Sequence, residues 1–327
     1  MRAWFVTRVG EPARVLELRE ANEPLPGTGE VTIATDAVGL NFLDVMACRG
    51  SYPWNPAPPF IPCAELVGHI QGVHDGSRFQ SGQRVVAMIP AAHGALAETC
   101  SVPQNYVFPV SGDIADEAAA AMLVTYQTAW FALERAAVKA GDTVLIHGGA
   151  GGVGTAATQL CRLRGARVIA TAGSEAKLDI CRNQGAELAI NYRSQDFVAE
   201  VRAHTAERGV DVVLDQVGGT VSERSLEALA FEGRLVLVGW ASGEAPNLDA
   251  QSLVMRNHTV IGLSWGSTYP LRDPDRVRDA HATIHQAIQS KQITPHIHAT
   301  VPFEDAPDMM QALGDGKTTG KAVIRIR

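Results

Sequence analysis

The run from Thr143 to Gly154, TVLIHGGAGGVG, constrains this chain more than any other stretch. A short β-branched and apolar segment breaks into glycines and one alanine, and AATQLCRLRG follows. Val144, Leu145 and Ile146 suit a buried strand, whereas Val153, Ala157, Leu160 and Leu163 recur at helical spacing. The order is therefore strand, glycine turn, helix. Gly149, Gly151 and Gly154 fit the spacing GxGxxG, in which one glycine makes a tight turn, the next lets backbone approach a pyrophosphate, and the third lets helix pack on strand. The helix N-terminus behind such a turn offers unpaired N–H groups and a positive dipole end to an anion. Alone, the triplet would fit an ordinary glycine-rich surface turn equally well. The segments that follow decide for a dinucleotide site.

From Thr143 onward strands alternate with helical or turn segments. Strands are expected at 143–147, 167–172, 188–191, 210–214, 234–238 and 259–263. Six strands in this order predict a doubly wound parallel sheet, ordered 3-2-1-4-5-6. Upstream, residues 3–110 form short strand-like runs, EVTIATDAVGL, RVVAMI and ALAETCSV among them, punctuated by PLPGTG and NPAPPFIP. One helix, 42–49, interrupts this β-rich part and ends at Gly50. DIADEAAAAM and LVTYQTAWFALERA read as two helices. After Gly266 come a long helix (274–290) with Val277, Ala280, Ile284 and Ile288 on one face, a short helix (305–313) and a strand, AVIRI. This tail has too few strands for a core of its own, so it is expected to return to the N-terminal part. The predicted fold is α/β: a discontinuous β-rich domain (1–121 and 265–327) split around a dinucleotide-binding domain (122–264). Ligand is expected in the cleft between them, over the carboxyl ends of the sheet strands.

A net charge of −7 without a basic block argues against nucleic acid or an anionic membrane as partner. The five cysteines contain no CxxC pair, which points to reduced thiols rather than disulfides or a cysteine-cage metal site. MRAWFVTRVGEP has no signal-like apolar core, and no apolar run approaches the ~18 residues of a membrane helix. A cytoplasmic protein is expected.

Several blocks in order resemble the medium-chain dehydrogenase/reductases, specifically their zinc-free quinone oxidoreductase (zeta-crystallin-like) branch. They are VGLNFLD, PCAELVG, VTYQTAW, HGGAGGVG, NQGAELAINYR, DVVLDQVGG and GRLVLVGWASG, and they span nearly the whole chain. The resemblance implies a GroES-like catalytic domain around a Rossmann domain. Zinc-dependent relatives hold metal with a Cys, a His and a second Cys, and the matching positions here are Asn41, Ala64 and Val124. These make no plausible three-ligand zinc site. The structural zinc lobe of four close cysteines is missing between Met88 and Val102, so no metal is expected. Cys63 reads as a small buried thiol. His69, His74 and His93 lack second ligands at metal spacing, and His281 with His285, four apart on a helix, lack a third.

The resemblance places the nucleotide on Gly149, Gly151, Gly152, Val153 and Gly154, with Val217, Gly239, Trp240 and Trp265 also at the cofactor. It further assigns Gly173, Lys177 and Tyr192 to the 2′-phosphate of NADPH. The second strand ends ATAGS without the acid that NAD-preferring proteins place there. Glu175 lies in the first turn after the N-cap Ser174, where an acid simply complements the dipole. A phosphate dianion favours a cation and hydrogen-bond donors, so NADPH is expected over NADH. A solvated helix lysine is the alternative for Lys177.

Oxidising a plain alcohol needs a partner for the alkoxide, and neither zinc nor a Tyr-Lys pair is evident. A quinone or enone delocalises the incoming charge, so positioning and one or two donors suffice. By resemblance Asn41 and Thr128 lie near the nicotinamide and acceptor, Tyr52 lies opposite, and Trp240 and Trp265 wall the cleft. Asn41 also suits a helix N-cap, Thr128 a back-bond to a helix carbonyl, and the tryptophans simple packing. Many relatives carry Tyr where this chain has Met46, which leaves Tyr52 or solvent to donate a proton. Asp44 reads as a structural acid. The function expected is NADPH-dependent reduction of a quinone or similar electrophilic carbonyl. The alternatives are C=C reduction of enones or 2-enoyl thioesters, and NADPH binding without turnover. A homodimer or homotetramer joined near 259–263 is the expected assembly, again by resemblance.

Overall fold

The computed structural model describes all 327 residues except 53–54 and 91–93. In chain order the elements are β1 (Arg2–Val6), α1 (Pro12–Val15), β2 (Leu16–Glu20), β3 (Glu30–Gly39), α2 (Phe42–Cys48), β4 (Glu65–Val73), β5 (Arg84–Met88), β6 (Thr99–Pro103) and β7 (Val107–Pro109). Next come α3 (Asp116–Ala119), α4 (Val124–Arg135), β8 (Thr143–Ile146), α5 (Gly152–Leu163), β9 (Arg167–Ala172), α6 (Glu175–Gln184), β10 (Leu188–Asn191), α7 (Phe197–His204) and β11 (Val210–Asp215). The chain ends with α8 (Gly219–Ala228), β12 (Leu229–Leu237), α9 (Ala250–Arg256), β13 (Thr259–Gly262), α10 (Trp265–Arg272), α11 (Pro274–Gln289), β14 (Ile297–Pro302), α12 (Ala306–Gly314) and β15 (Lys321–Arg325).

Two compact units result, Met1–Gln127 with Gly266–Arg327, and Thr128–Trp265. The division after Gln127 falls inside α4, where the sequence suggested a boundary after 121. In the second unit six parallel strands are ordered β10-β9-β8-β11-β12-β13, which is the expected 3-2-1-4-5-6. β8 lies inside this sheet and all four of its residues are buried. That is why its sequence runs apolar without alternating: helices cover both faces of such a sheet. Leu145, Ile169, Ile190, Val213 and Leu235 from five strands meet Phe197, Val201 and Leu226 from the helices in one core.

In the first unit the sheet runs β14-β15-β3-β4-β5-β7, with β6 also on β3. β15 pairs antiparallel with β3, Val323 opposite Gly39, so the C-terminal tail does return to the N-terminal part. It brings one strand that the sequence did not reveal, β14, paired parallel to β15. Helix α10 was also unforeseen, because Pro270 stands inside it and proline normally argues against a helix interior. The helix expected over DIADEAAAAM shortens to Asp116–Ala119. Among the described residues no helix is long and apolar enough to cross a membrane.

A buried imidazole closes the far side of β8. His147 Nε2 lies 2.9 Å from Ser225 Oγ and Nδ1 lies 3.0 Å from Thr171 Oγ1. Ser225 donates its own proton to Val221 O at 2.6 Å, so its oxygen must accept from Nε2–H, and Nδ1 accepts from Thr171. Burial lowers the His147 pKa from 6.5 to about 4, against the opposing charge of Asp215. The unfolded chain therefore takes up a proton at this residue that the folded chain refuses. Stability from His147 is complete above pH 6.5 and is expected to fall by up to ~1.4 kcal/mol per pH unit as pH drops toward 4. Denaturant titrations across this window check it, since His147→Asn should flatten the slope.

Candidate active site

The glycine turn is built by exclusion. A Cβ on Gly149 would stand 2.7 Å from Ala170 Cβ and 3.0 Å from Cys181 Sγ. One on Gly154 would stand 2.4 Å from Gly148 O and 2.7 Å from Gly149 Cα. Helix α5 thus packs onto the turn with no room for a side chain at either place. At Gly151, the N-cap of α5, the nearest atom is Gly148 O at 3.3 Å, so the crowding is far milder. Behind it Gly152, Val153 and Gly154 form the first helical turn, whose N–H groups have no partner within the helix.

At the tip of β9 the side chains of Tyr192 and Arg193 lie across Gly173. A Cβ there would meet Tyr192 Oη at 2.6 Å and Arg193 Nε at 3.1 Å. Lys177, half-buried on α6, has its pKa lowered, chiefly by burial and then by the charge of Arg193. A cation and a phenol therefore cover this glycine, and a second cation, Lys177, lies near the first. The Glu175 carboxylate pairs with Arg182 at 2.8 Å.

The loops after β11 and β12 are laced together. Asp215 Oδ1 accepts from Val217 N at 2.7 Å and Gly218 N at 3.3 Å, while its Oδ2 accepts from Ser222 Oγ. Ala241 N donates to Gln216 O and Ser242 N to Val217 O, both at 2.9 Å. This fixes Val217 beside the segment carrying Gly239 and the partly exposed Trp240. A Cβ on Gly239 would meet nothing within 4 Å. Gln216, which sequence reasoning missed, donates from Nε2 to His147 O at 2.7 Å and ties this loop to the glycine turn. Trp265 is buried, donates from Nε1 to Thr128 Oγ1 at 2.6 Å and stacks on Phe131.

In the first unit Asn41 caps α2 and belongs to a buried polar cluster. Asn41 Nδ2 donates to Gly39 O and Glu65 Oε2, both at 3.0 Å, and its Oδ1 accepts from Lys321 Nζ at 2.7 Å. Lys321 Nζ also lies 2.7 Å from Glu65 Oε2. The other oxygen, Glu65 Oε1, accepts from Leu123 N at 2.8 Å and Val124 N at 2.9 Å, at the start of α4. Glu65 is 0% exposed and Lys321 3%, so this ion pair is fully desolvated and the bonds to its carboxylate must offset that cost. Asp44 Oδ2 accepts from Asn41 N at 2.7 Å, whereas Oδ1 has no partner among the described residues. Burial pushes the Asp44 pKa up to about 7. The phenol of half-buried Tyr52 is raised as well, by burial first and then by Asp44, so it stays protonated at neutral pH. The structure thus groups Asn41, Asp44 and Tyr52 in one unit, and Thr128 with Trp265 in the other.

Residues 27–112 match the alcohol dehydrogenase GroES-like domain and residues 152–285 match the zinc-binding dehydrogenase family. Quinone oxidoreductase-like protein 2 homolog of Nematostella vectensis is 32% identical over 332 residues, covering 100% of this chain and 89% of that protein. The chain belongs to the quinone oxidoreductase-like branch of the medium-chain dehydrogenase/reductases. Among solved structures, the Escherichia coli quinone oxidoreductase complexed with NADPH superposes with a TM-score of 0.93 at 27% identity, with 100% of both chains covered. The quinone oxidoreductase of Thermus thermophilus, also solved with NADPH, gives 0.84 at 36%, again over both full chains.

The resemblance sets the ligand positions of zinc-dependent members against Asn41, Ala64 and Val124. The Asn41 oxygen and Glu65 already bind the Lys321 ammonium, and such a donor set does not fit zinc. Among the described residues no group of three His, Cys, Asp or Glu is placed to hold a metal. Burial raises the Cys63 thiol well above its ordinary pKa, so the thiol is protonated at neutral pH. His69 lies against Asp36, and His74 Nδ1 lies 3.0 Å from Asp75 O. His281 and His285 spend Nε2 on Pro109 O and Ser111 N, and His93 falls outside the described residues. Glu65 and Lys321 also escaped sequence reasoning. Their only signal is an acid and a lysine beside strongly apolar runs, in PCAELVG and KAVIRI.

Proposed function

We propose that this oxidoreductase uses NADPH, without a metal, to reduce a quinone or a similarly electrophilic carbonyl. The carrying observation is Tyr192 and Arg193 lying against Gly173, with Lys177 near the charge of Arg193, where the β9 strand ends ATAGS without an acid. An adenosine 2′-phosphate suits two cations and a phenol, and a carboxylate there would repel it. The Escherichia coli and Thermus relatives solved as NADPH complexes support the same reading.

The residues fit the cofactor. Gly149 and Gly154 leave no room for side chains, the Gly151 N–H closes the turn by donating to Gly148 O at 2.9 Å, and Gly152 and Val153 at the start of α5 present backbone N–H groups to a pyrophosphate. Bound there, NADPH would supply the hydride. Tyr52 in the first unit and Thr128 in the second each carry a hydroxyl able to donate to an acceptor oxygen. The Thr128 oxygen is already engaged by Trp265 Nε1, which frees the hydroxyl proton to donate. Asn41 is a positioned amide, its orientation fixed by Gly39, Glu65 and Lys321. A quinone spreads the incoming charge onto its oxygens, so these groups suffice where an alkoxide would need a Lewis acid.

Steady-state NADPH oxidation with a panel of quinones and with crotonyl-CoA tests the reading. Quinones should turn over and crotonyl-CoA should not. Preference for the thioester would favour the C=C reductase, and tight NADPH binding with neither acceptor reduced would favour a non-catalytic binder. Gly154→Ala forces a Cβ onto the backbone of Gly148 and Gly149, and should weaken NADPH binding on the order of tenfold or more. Fluorescence titration of the bound nicotinamide reads this directly.

The same reading includes a cytoplasmic homodimer or homotetramer. β13 is the edge strand of its sheet and α9 before it exposes Val254 and Met255, a surface suited to a second copy. Light scattering should return at least twice the 34.8 kDa chain mass, and a monomer would reject this part.

A further inference from the structure

The first unit carries a concavity of about 570 Å³ that nothing in the proposed chemistry uses. One wall is α11, where Arg278, His281 and His285 fall on one stripe at helical spacing. The opposite side comes from β7 with its flanks and from the loop before β5, which bring Phe108, Phe79 and Arg78. Every lining residue belongs to this unit, and none belongs to the glycine turn or the β9 tip.

Charge is the informative feature. In a chain of net charge −7, this lining holds two arginines and two histidines and, among the described residues, no carboxylate. Arg78 is held in place: its Nη2 donates to Gln104 O at 2.5 Å and Val107 O at 3.3 Å, and its guanidinium carbon lies 5.0 Å over the Phe79 ring. Burial lowers its pKa, and the charge of Arg278 lowers it further, so the two cations work against each other without an anion between them. Arg278 is paired to the exposed Asp275 of its own helix.

Both imidazoles are fixed as well. Ser111 N donates to His285 Nε2 at 2.9 Å, which makes that nitrogen an acceptor and puts the proton of the neutral ring on Nδ1. His281 Nε2 faces Pro109 O at 2.9 Å, a group that can only accept, so there the proton sits on Nε2. Phe108 and Phe79 are 1% and 4% exposed and pack beneath the concavity, with the His281 ring 4.9 Å from Phe108. A volume of this size lies in the range of small-molecule sites.

We propose that this pocket binds a small organic anion, its carboxylate or sulfonate held between Arg78 and Arg278 and its apolar body along the more accessible lining at Pro109, Ala282 and His285. The site is independent of the nucleotide and of the acceptor.

Calorimetric titration of the full chain with 2-naphthoate and its neutral isostere 2-naphthamide tests this. Naphthoate should bind about tenfold or more tightly than naphthamide, the difference that a charge-assisted bond brings. Arg278→Gln should remove most of that difference and Arg278→Glu all of it, with naphthamide affinity unchanged. These two variants disturb only an exposed ion pair, so folding is not at risk, and NADPH oxidation should keep its rate in both. Equal binding of the two probes, no binding of either, naphthoate affinity untouched by both substitutions, or displacement of naphthoate by saturating menadione would each overturn the proposal. None of these readouts requires NADPH to bind, so their failure is separable from failure of the proposed activity.

Discussion

Lys321→Met should cost ~3–5 kcal/mol of stability, because it leaves the Glu65 carboxylate buried with no counter-charge. The loss is larger than for any surface pair in this chain, such as Arg182–Glu175, where ~0–1 kcal/mol is the usual range. Glu65 is 0% exposed, so water cannot replace the ammonium. The second variant separates pairing from packing. In Glu65→Gln/Lys321→Met both charges are gone, and the new amide oxygen can still accept from the N–H groups of Leu123 and Val124 that Glu65 Oε1 now satisfies. The double variant should therefore regain at least half of the loss. Urea denaturation of the three proteins checks this, and a double variant no more stable than Lys321→Met would show that packing of the lysine stem, not its charge, matters here.

Lys177→Ala should lower kcat/KM for NADPH by roughly 10- to 100-fold while leaving NADH within about twofold. That is the loss of one charge-assisted hydrogen bond of ~1.5–3 kcal/mol. The effect belongs in KM, since on the proposed reading the 2′-phosphate would be bound alike before and during hydride transfer. Gly173→Asp should be more severe, for two reasons. Its Cβ would approach Tyr192 Oη at 2.6 Å, and its carboxylate would face the phosphate. If Lys177 were an ordinary solvated helix lysine, its loss would change NADPH and NADH equally.

The dinucleotide unit was legible because its information is local. Buried runs such as TVLI, separated by glycine turns and amphipathic helices, give both the parallel sheet and its order before any coordinate is known. The first unit was less legible because its sheet closes through distant segments. β15 reaches β3 across nearly the whole chain, and the strand paired to it, β14, does alternate in IHATVP but is short and ends on Pro302, which demotes such a run. Pro270 hid α10 for a simple reason, that a rule about helix interiors is statistical and tertiary context overrode it. The crowding at Gly149 and Gly154 was readable because each answers a local packing requirement. The Glu65–Lys321 pair was not, since two single charges in apolar strands carry no signal until the fold brings them to 2.7 Å. The same holds for Gln216 and for the opposed tautomers of His281 and His285, which depend on backbone groups remote in sequence.

Hydride transfer to 9,10-phenanthrenequinone by chelator-dialysed protein, with NADPH and NADH supplied in parallel and zinc quantified in the same sample, bears most directly on the proposed chemistry. Full turnover with far less than one zinc per chain, and a preference for NADPH of about tenfold or more, is the expected result. Activity that disappears with the metal and returns with added zinc, or equal use of the two nucleotides, would contradict it.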